Sequence, residues 1–211
     1  MTARGLLITF EGGDGAGKST LMKGLYHALE ERGEAVISTR APGGTSIGEK
    51  IRELLLQKDN LLSDRCELFL FLADRAQHMQ EVIFPALVEG KIVLCDRFND
   101  STVAYQGIAR ELEFSLVRSF CRFATEGKEP DLTFYLDLSP EIGLQRTLHK
   151  TGEKDRMESE PLAFHEKIRQ AFLHIAQEEP KRVRVLDATK SPETLLQQAI
   201  YGLDDLFFSP R

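Results

Sequence analysis

One stretch constrains this chain more than any other. Gly12-Gly13-Asp14-Gly15-Ala16-Gly17-Lys18-Ser19-Thr20 is a complete G-x-x-x-x-G-K-[ST] phosphate loop, directly after the apolar run Leu6-Leu7-Ile8-Thr9-Phe10. A strand that feeds a glycine-rich turn into a helix commits the chain to an α/β arrangement. The glycines let backbone N–H groups turn inward onto phosphate oxygens, Lys18 can reach the β- and γ-phosphates, and the Ser19 hydroxyl can ligate Mg²⁺. The first turn of the following helix adds its positive dipole end. A turn that only joined strand to helix would need neither Lys18 nor Ser19. ATP or GTP binding is the starting point.

Five β-like runs recur along the chain: 6–10, 35–39, 92–95, 132–138 and 183–186. Helical sequence separates them, which predicts a parallel sheet covered by helices on both faces, with the ligand crevice at the carboxyl ends of the strands. The first helix is expected over 19–32, with Leu21, Leu25 and Leu29 at four-residue spacing and Gly33 as its left-handed stop. A second should start at Ser46 and bury Ile47, Ile51, Leu54 and Leu55. A long helical pattern over 64–89 carries Leu68, Leu72, Met79, Ile83 and Leu87, and Pro85 is expected to kink it. No repeat or linker divides the 211 residues, so a single domain over 1–211 is expected.

Composition excludes several function classes. A formal net charge of −6 gives no support to binding of a nucleic-acid polymer or an anionic membrane. Cys66, Cys95 and Cys121 are odd in number and lack C-x-x-C spacing, which argues against a disulfide framework or a zinc site. No run approaches the ~20 apolar residues that cross a bilayer, and the first residues lack the pattern of a signal peptide. A soluble, cytoplasmic protein is expected.

A phosphate loop serves switches, motors and kinases alike, so the acceptor side must discriminate. Asp96-Arg97 ends the third β-like run, where an acid can hold Mg²⁺ or orient an attacking oxygen and an arginine can grip a second phosphate. Phe71 and Arg75 lie four residues apart on one helix face, suited to stacking on a base and reaching its exocyclic oxygen. Arg40 and Arg52 follow the second run, and their convergence with Arg97 would make a site for a dianionic monophosphate. The segment 146–158 groups Arg146, Lys150, Lys154 and Arg156 around Gly152, either as a solvated surface or as a mobile lid over the transferring group. A guanine-reading N/T-K-x-D stretch, needed by a regulatory GTPase, fails at Thr189-Lys190-Ser191-Pro192.

The blocks 10–20, 39–45 and above all Asp96-Arg97-Phe98-Asn99-Asp100-Ser101-Thr102-Val103-Ala104-Tyr105-Gln106-Gly107, extended by 130–137 and 155–158, resemble bacterial thymidylate kinases over nearly the whole chain. The resemblance implies a P-loop kinase sandwich, a five-stranded parallel sheet between helical layers with a short lid at about 146–158, usually assembled as a homodimer. It implies transfer of the γ-phosphoryl group of ATP to dTMP, with Mg²⁺, on the route to dTTP. It assigns Phe71 to stacking on thymine, Arg75 to the carbonyl edge, and Gln106 with Ser101 and Thr102 to base contacts. Tyr105 would lie against the sugar and Asp14 would take its 3′-hydroxyl. Arg40, Arg52 and Arg97 would gather the acceptor phosphate, and Asp96 would serve Mg²⁺ and in-line geometry.

Two departures stand out. Ala41 occupies a position where the family usually has Glu, and Gly15 leaves the phosphate loop without a catalytic arginine, which points to a cation from the lid. Arg156 is the first choice there, since its guanidinium can fork onto two oxygens, and Lys150 the second. A homodimer is expected on a separate ground as well: the 64–89 helix carries Phe69 and Leu70 beside its core stripe, and the helix before Pro130 carries Phe114, Leu116, Val117, Phe120 and Phe123, more apolar surface than one sheet face covers.

Overall fold

The computed structural model describes residues 5–151 and 153–208, with the side chains of 150, 151, 207 and 208 outside that description. Five parallel strands form one sheet: β1 (Leu6–Glu11), β2 (Val36–Arg40), β3 (Ile92–Asp96), β4 (Leu132–Asp137) and β5 (Val183–Asp187), in the order β2-β3-β1-β4-β5. β1, the first four residues of β3 and the first five of β4 are buried without a break, as strands covered on both faces must be. One apolar layer packs α1 (Lys18–Glu31) and α9 (Pro192–Phe208) against the sheet through Leu21, Leu25, Leu29, Ala199 and Leu203. On the other face α8 (Leu162–Glu178) contributes Ile168, Phe172 and Ile175. The parallel sheet between helical layers expected from the strand and helix alternation is the one observed.

Register sets up the site. Arg40 lies opposite Asp96 and Asp96 opposite Phe10, so β2, β3 and β1 end flush. The phosphate loop, the Asp96-Arg97 pair and the chain leaving Arg40 therefore emerge side by side, joined by Arg97 N donating to Phe10 O (3.0 Å) and Ala41 N to Asp96 O (2.9 Å).

The helices depart from expectation in two places. α1 stops at Gly33 with φ 79° as predicted, and Glu34 N donates back to Leu29 O. In α2 (Ser46–Leu56), however, only Ile51 and Leu55 are buried, while Ile47 and Leu54 are about half exposed. The long helical stretch begins as α3 (Asp64–His78), widens into a π-turn over Met79–Ile83 and ends as α4 (Phe84–Val88). Phe84 N reaches back to Met79 O, so the turn just before Pro85 is wider than an α-helical one. A second π segment, Val103–Ala109, follows the short α5 (Asn99–Thr102) and precedes α6 (Phe114–Ala124). Phe69 of α3 and Phe120 of α6 place their rings 6.0 Å apart, yet Phe69, Leu116 and Phe123 stay 55%, 46% and 86% exposed. The apolar surplus of these two helices is thus only partly spent inside the chain.

Candidate active site

The phosphate loop leaves β1 in a conformation only glycine tolerates. Gly12 has φ 142°, and a Cβ there would lie 2.7 Å from Leu136 O; Gly15 has φ 71°, and a Cβ there would meet Gly143 O at 2.1 Å. Gly143 belongs to α7 (Pro140–Thr151), so a side chain at position 15 would force the loop or α7 to shift. Lys18 Nζ donates to Gly12 O (3.1 Å) and Gly13 O (2.9 Å) across the loop. Burial and the nearby Arg97 guanidinium lower its pKa, while Asp96, Asp14 and Glu11 oppose the shift. Ser19 Oγ donates to Asp96 Oδ2 at 3.3 Å. Asp96 Oδ1 is buried and has no hydrogen-bond partner among the described residues. A serine hydroxyl beside an unsatisfied carboxylate oxygen is a donor set of hard oxygens that fits Mg²⁺. Among the described residues no group of three His, Cys, Asp or Glu could hold a metal by itself, so substrate oxygens and water would have to complete the coordination.

Arg97 sits at the centre. Its backbone is left-handed (φ 69°), a strained choice for a residue with a Cβ. Glu11, fully buried at the end of β1, holds that turn by accepting from Phe98 N (2.7 Å), Ser101 N (3.3 Å) and Ser101 Oγ (2.5 Å). Burial and then the Asp100 charge push the Glu11 carboxyl up to about 7. So directed, the Arg97 guanidinium reaches Asp14 Oδ1 (2.6 Å), Gly12 O (3.0 Å) and Ser101 Oγ (3.3 Å) and lies 5.3 Å from the Tyr105 ring centre. Although burial raises the Asp14 pKa, Arg97 and Lys18 bring it below its ordinary value.

Two adjoining spaces open here. A cavity of about 890 Å³ is lined by Lys18, Ser19, Asp96, Arg40, Arg52, Arg97 and Arg146, among others. A narrower chamber of about 80 Å³ is lined by Phe71, Arg75, Ser101, Thr102, Tyr105 and Gln106. Asp14, Ala41, Arg52 and Arg97 border both. The three arginines expected to converge do share a wall, with Arg40 paired to Glu49 (2.8 Å) and Arg52 Nη1 donating to Pro42 O (2.9 Å). Arg75 is 2% exposed, lies 4.5 Å from the Phe98 ring centre, and has no partner for Nε among the described residues.

The segment 146–158 divides. Arg146 Nη1 stands 3.5 Å from Gly15 O and 3.5 Å from Ala188 O, beside the phosphate loop. Arg156 does not: its Nη2 pairs with Glu67 Oε2 (2.7 Å) and its Nε donates to Leu55 O (2.7 Å), so the guanidinium is committed between α2 and α3. Without nucleotide, then, the Arg156 guanidinium expected over the transferring group is engaged by Glu67 and Leu55 O. The Lys150 side chain lies outside the described residues.

Several residues that shape the site escaped the sequence reading. Asp74 Oδ1 accepts from Gly43 N (2.9 Å), Thr39 Oγ1 and His78 Nε2 are 2.6 Å apart, and Glu67 accepts from Gln106 Nε2 (2.8 Å). Burial, then Arg75, pushes His78 down to about 3, which keeps it neutral. A signal existed: 67, 71, 74 and 78 follow helical spacing, and polar groups on that stripe needed partners inside the protein.

Comparison with known proteins agrees with this geometry. A family model described as thymidylate kinase matches residues 10–200. The thymidylate kinase of Protochlamydia amoebophila is 50% identical over 210 residues, covering 96% of this chain and 93% of that one. The Bacillus velezensis thymidylate kinase is 44% identical over 203 residues, with 95% and 96% covered. A crystal structure of thymidylate kinase from Ehrlichia chaffeensis superposes with a TM-score of 0.77 at 32% identity, covering 95% of this chain and 98% of that chain.

Proposed function

The chain belongs to the thymidylate kinase family, and from that premise we propose that it transfers the γ-phosphoryl group of ATP to dTMP, giving dTDP and ADP. The observation that carries this reading is the pair of adjoining spaces, one walled by the phosphate loop and one by Phe71 and Arg75, sharing Arg97, Arg52 and Asp14. A donor phosphate chain in the first and a nucleoside monophosphate in the second would meet at the shared wall. Effective reaction there rests on positioning and on charge.

The ATP phosphates would rest on the backbone of Gly12, Gly13, Asp14, Gly15, Ala16, Gly17, Lys18, Ser19 and Thr20, with Lys18 turning from the Gly12 and Gly13 carbonyls to the β- and γ-oxygens. Ser19 and Asp96 would hold Mg²⁺, which when bound offsets phosphate charge. Arg97, Arg40 and Arg52 would grip the acceptor phosphate in a part-buried wall, where charge acts more strongly than in water. Phe71 would stack on the base, Arg75 would donate to its exocyclic oxygen, and Gln106 would read the ring nitrogen. Thr102 and Ser101 would line the base, Tyr105 would lie against the sugar, and the second oxygen of Asp14 would accept from its 3′-hydroxyl.

Within a lid at about 146–158, Arg146 stands beside the loop and would act on the transferring group, with Lys150 as a second candidate, while Arg156 would brace the acceptor side. The protein would act as a single kinase domain in the cytoplasm, on free nucleotides and not on nucleic-acid polymers; no helix among the described residues is long and apolar enough to cross a membrane. Pairing of the exposed Phe69, Leu116 and Phe123 surfaces across a two-fold axis would make it a homodimer, and light scattering should then report about twice 23.8 kDa. ADP release measured with dTMP, dUMP, dCMP, dGMP and dAMP tests the reaction. Turnover should be fastest with dTMP, and no turnover with dTMP would overturn the assignment.

A further inference from the structure

Glu67 lies one helical turn before Phe71 on α3, so its carboxylate enters the protein behind the base chamber, where the residue is 1% exposed. A buried carboxylate must be met by donors. Gln106 Nε2 arrives at 2.8 Å, Arg110 Nε and Nη2 at 3.2 Å each, and Arg156 Nη2 at 2.7 Å. Burial works against ionisation, but the hydrogen bonds from Arg110, Gln106 and Arg156 hold the carboxyl below its ordinary range. An ionised carboxylate only accepts. The Gln106 amide can therefore turn only its NH₂ group toward Glu67. Its carbonyl oxygen is then left for the chamber that Gln106 lines with Phe71 and Arg75, and among the described residues nothing donates to it.

We propose that Glu67 is a specificity-positioning residue, which fixes the Gln106 amide so that Oε1 stands toward the bound base as an acceptor. With Arg75 as the neighbouring donor, the chamber presents an acceptor beside a donor. A 4-oxo pyrimidine offers the matching edge, an N3–H donor beside an O4 acceptor. A 4-amino pyrimidine offers an N3 lone pair and an N–H₂ donor, so each would face its own kind and leave buried polar groups unpaired. Selection of the 4-oxo ring thus depends on a residue that does not touch it. This inference rests on the nucleoside monophosphate reading above.

The test compares kcat/KM for dTMP and dCMP in the full-length protein. E67Q replaces an obligate acceptor with an amide that can also donate, so Gln106 loses its single orientation. The dTMP-to-dCMP ratio should fall about tenfold or more, with KM for ATP unchanged. Arg110→Gln removes one cation from Glu67 but keeps the contact to Gln106, so it should lower Tm and leave the ratio within about twofold. A folded E67Q with an unchanged ratio overturns the proposal. If E67Q does not fold, E67D, which withdraws the charge by one methylene, carries the same expectation and the same refutation. In the wild type, the Gln106 side-chain amide protons should exchange slowly with solvent by NMR, and rapid exchange would also overturn it. Wild-type protein inactive on dTMP would instead refute the acceptor assignment, whereas active wild type with an unchanged E67Q ratio refutes Glu67 alone.

Discussion

The donor and acceptor halves of this site are built in opposite ways. The phosphate loop is one contiguous run whose groups are mostly backbone, held by glycines where α7 passes so close that a Cβ would meet Gly143 O at 2.1 Å. The acceptor chamber draws side chains from α2, α3, the π segment after α5 and the loop before α8. Behind it stands a layer of buried carboxylates, Glu11, Glu67 and Asp74, each accepting from a group that shapes the wall. Backbone chemistry suffices for phosphate, which is the same in every nucleotide. Discrimination among bases needs fixed side-chain donors and acceptors, and those must be oriented by partners of their own.

Substitutions in the two halves should therefore fail differently. The largest effect is expected for Lys18→Ala, which removes the cation nearest the transferring group and should cut kcat by ~10³ or more, with KM for dTMP little changed. Near-normal steady-state turnover would remove the donor assignment. Next, Arg146→Ala should lower kcat by ~10²-fold at unchanged KM for both nucleotides, whereas Arg156→Ala should lower Tm and raise KM for dTMP because Glu67 loses a partner. The reverse pattern would place Arg156 on the donor side after all. Arg75→Ala comes third: KM for dTMP should rise about tenfold or more, with KM for ATP steady. Equal loss for both substrates would erase the division between the halves.

The smallest effect concerns Glu11, which stands where the halves meet. Its folded carboxyl titrates at about 7 against 4.5 for the ordinary group, raised first by burial and then by Asp100. Below pH 4.5 both folded and unfolded chains carry the proton, and the contribution to stability is complete. As pH rises toward 7 the unfolded chain gives up its proton more readily, so that contribution is lost. Glu11→Gln has no such proton. The Tm of the wild type relative to Glu11→Gln should fall as pH goes from 4.5 to 7 in ligand-free protein, and a flat or rising difference would contradict the buried, proton-retaining carboxyl.

Much of this molecule was legible as local pattern. The strands, the phosphate loop, the Gly33 stop and the buried row Leu21, Leu25 and Leu29 follow from periodicity and from the backbone freedom of glycine. Where the pattern misled, neighbours decided. Ile47 and Leu54 read as core by spacing, yet about half of each faces solvent, because α2 meets α3 along a narrower stripe than its apolar face. Around Pro85 the spacing reads as one continuous α-helix, whereas the chain passes through a π-turn over Met79–Ile83.

Features that depend on residues adjacent in the chain were readable directly: the phosphate loop after β1, alternation of strand and helix, and an Asp-Arg pair at a strand end. Which charges answer one another emerged only once the helices had packed. Arg156 and Arg146 are both basic residues of one segment, and nothing in their spacing tells that one meets Glu67 and the other the phosphate loop. The reason is physical: a buried ion pair is selected by which donors come within about 3 Å of a desolvated acceptor. For Glu67, Gln106 and Arg156 that proximity is set by helices packing residues together from distant parts of the chain.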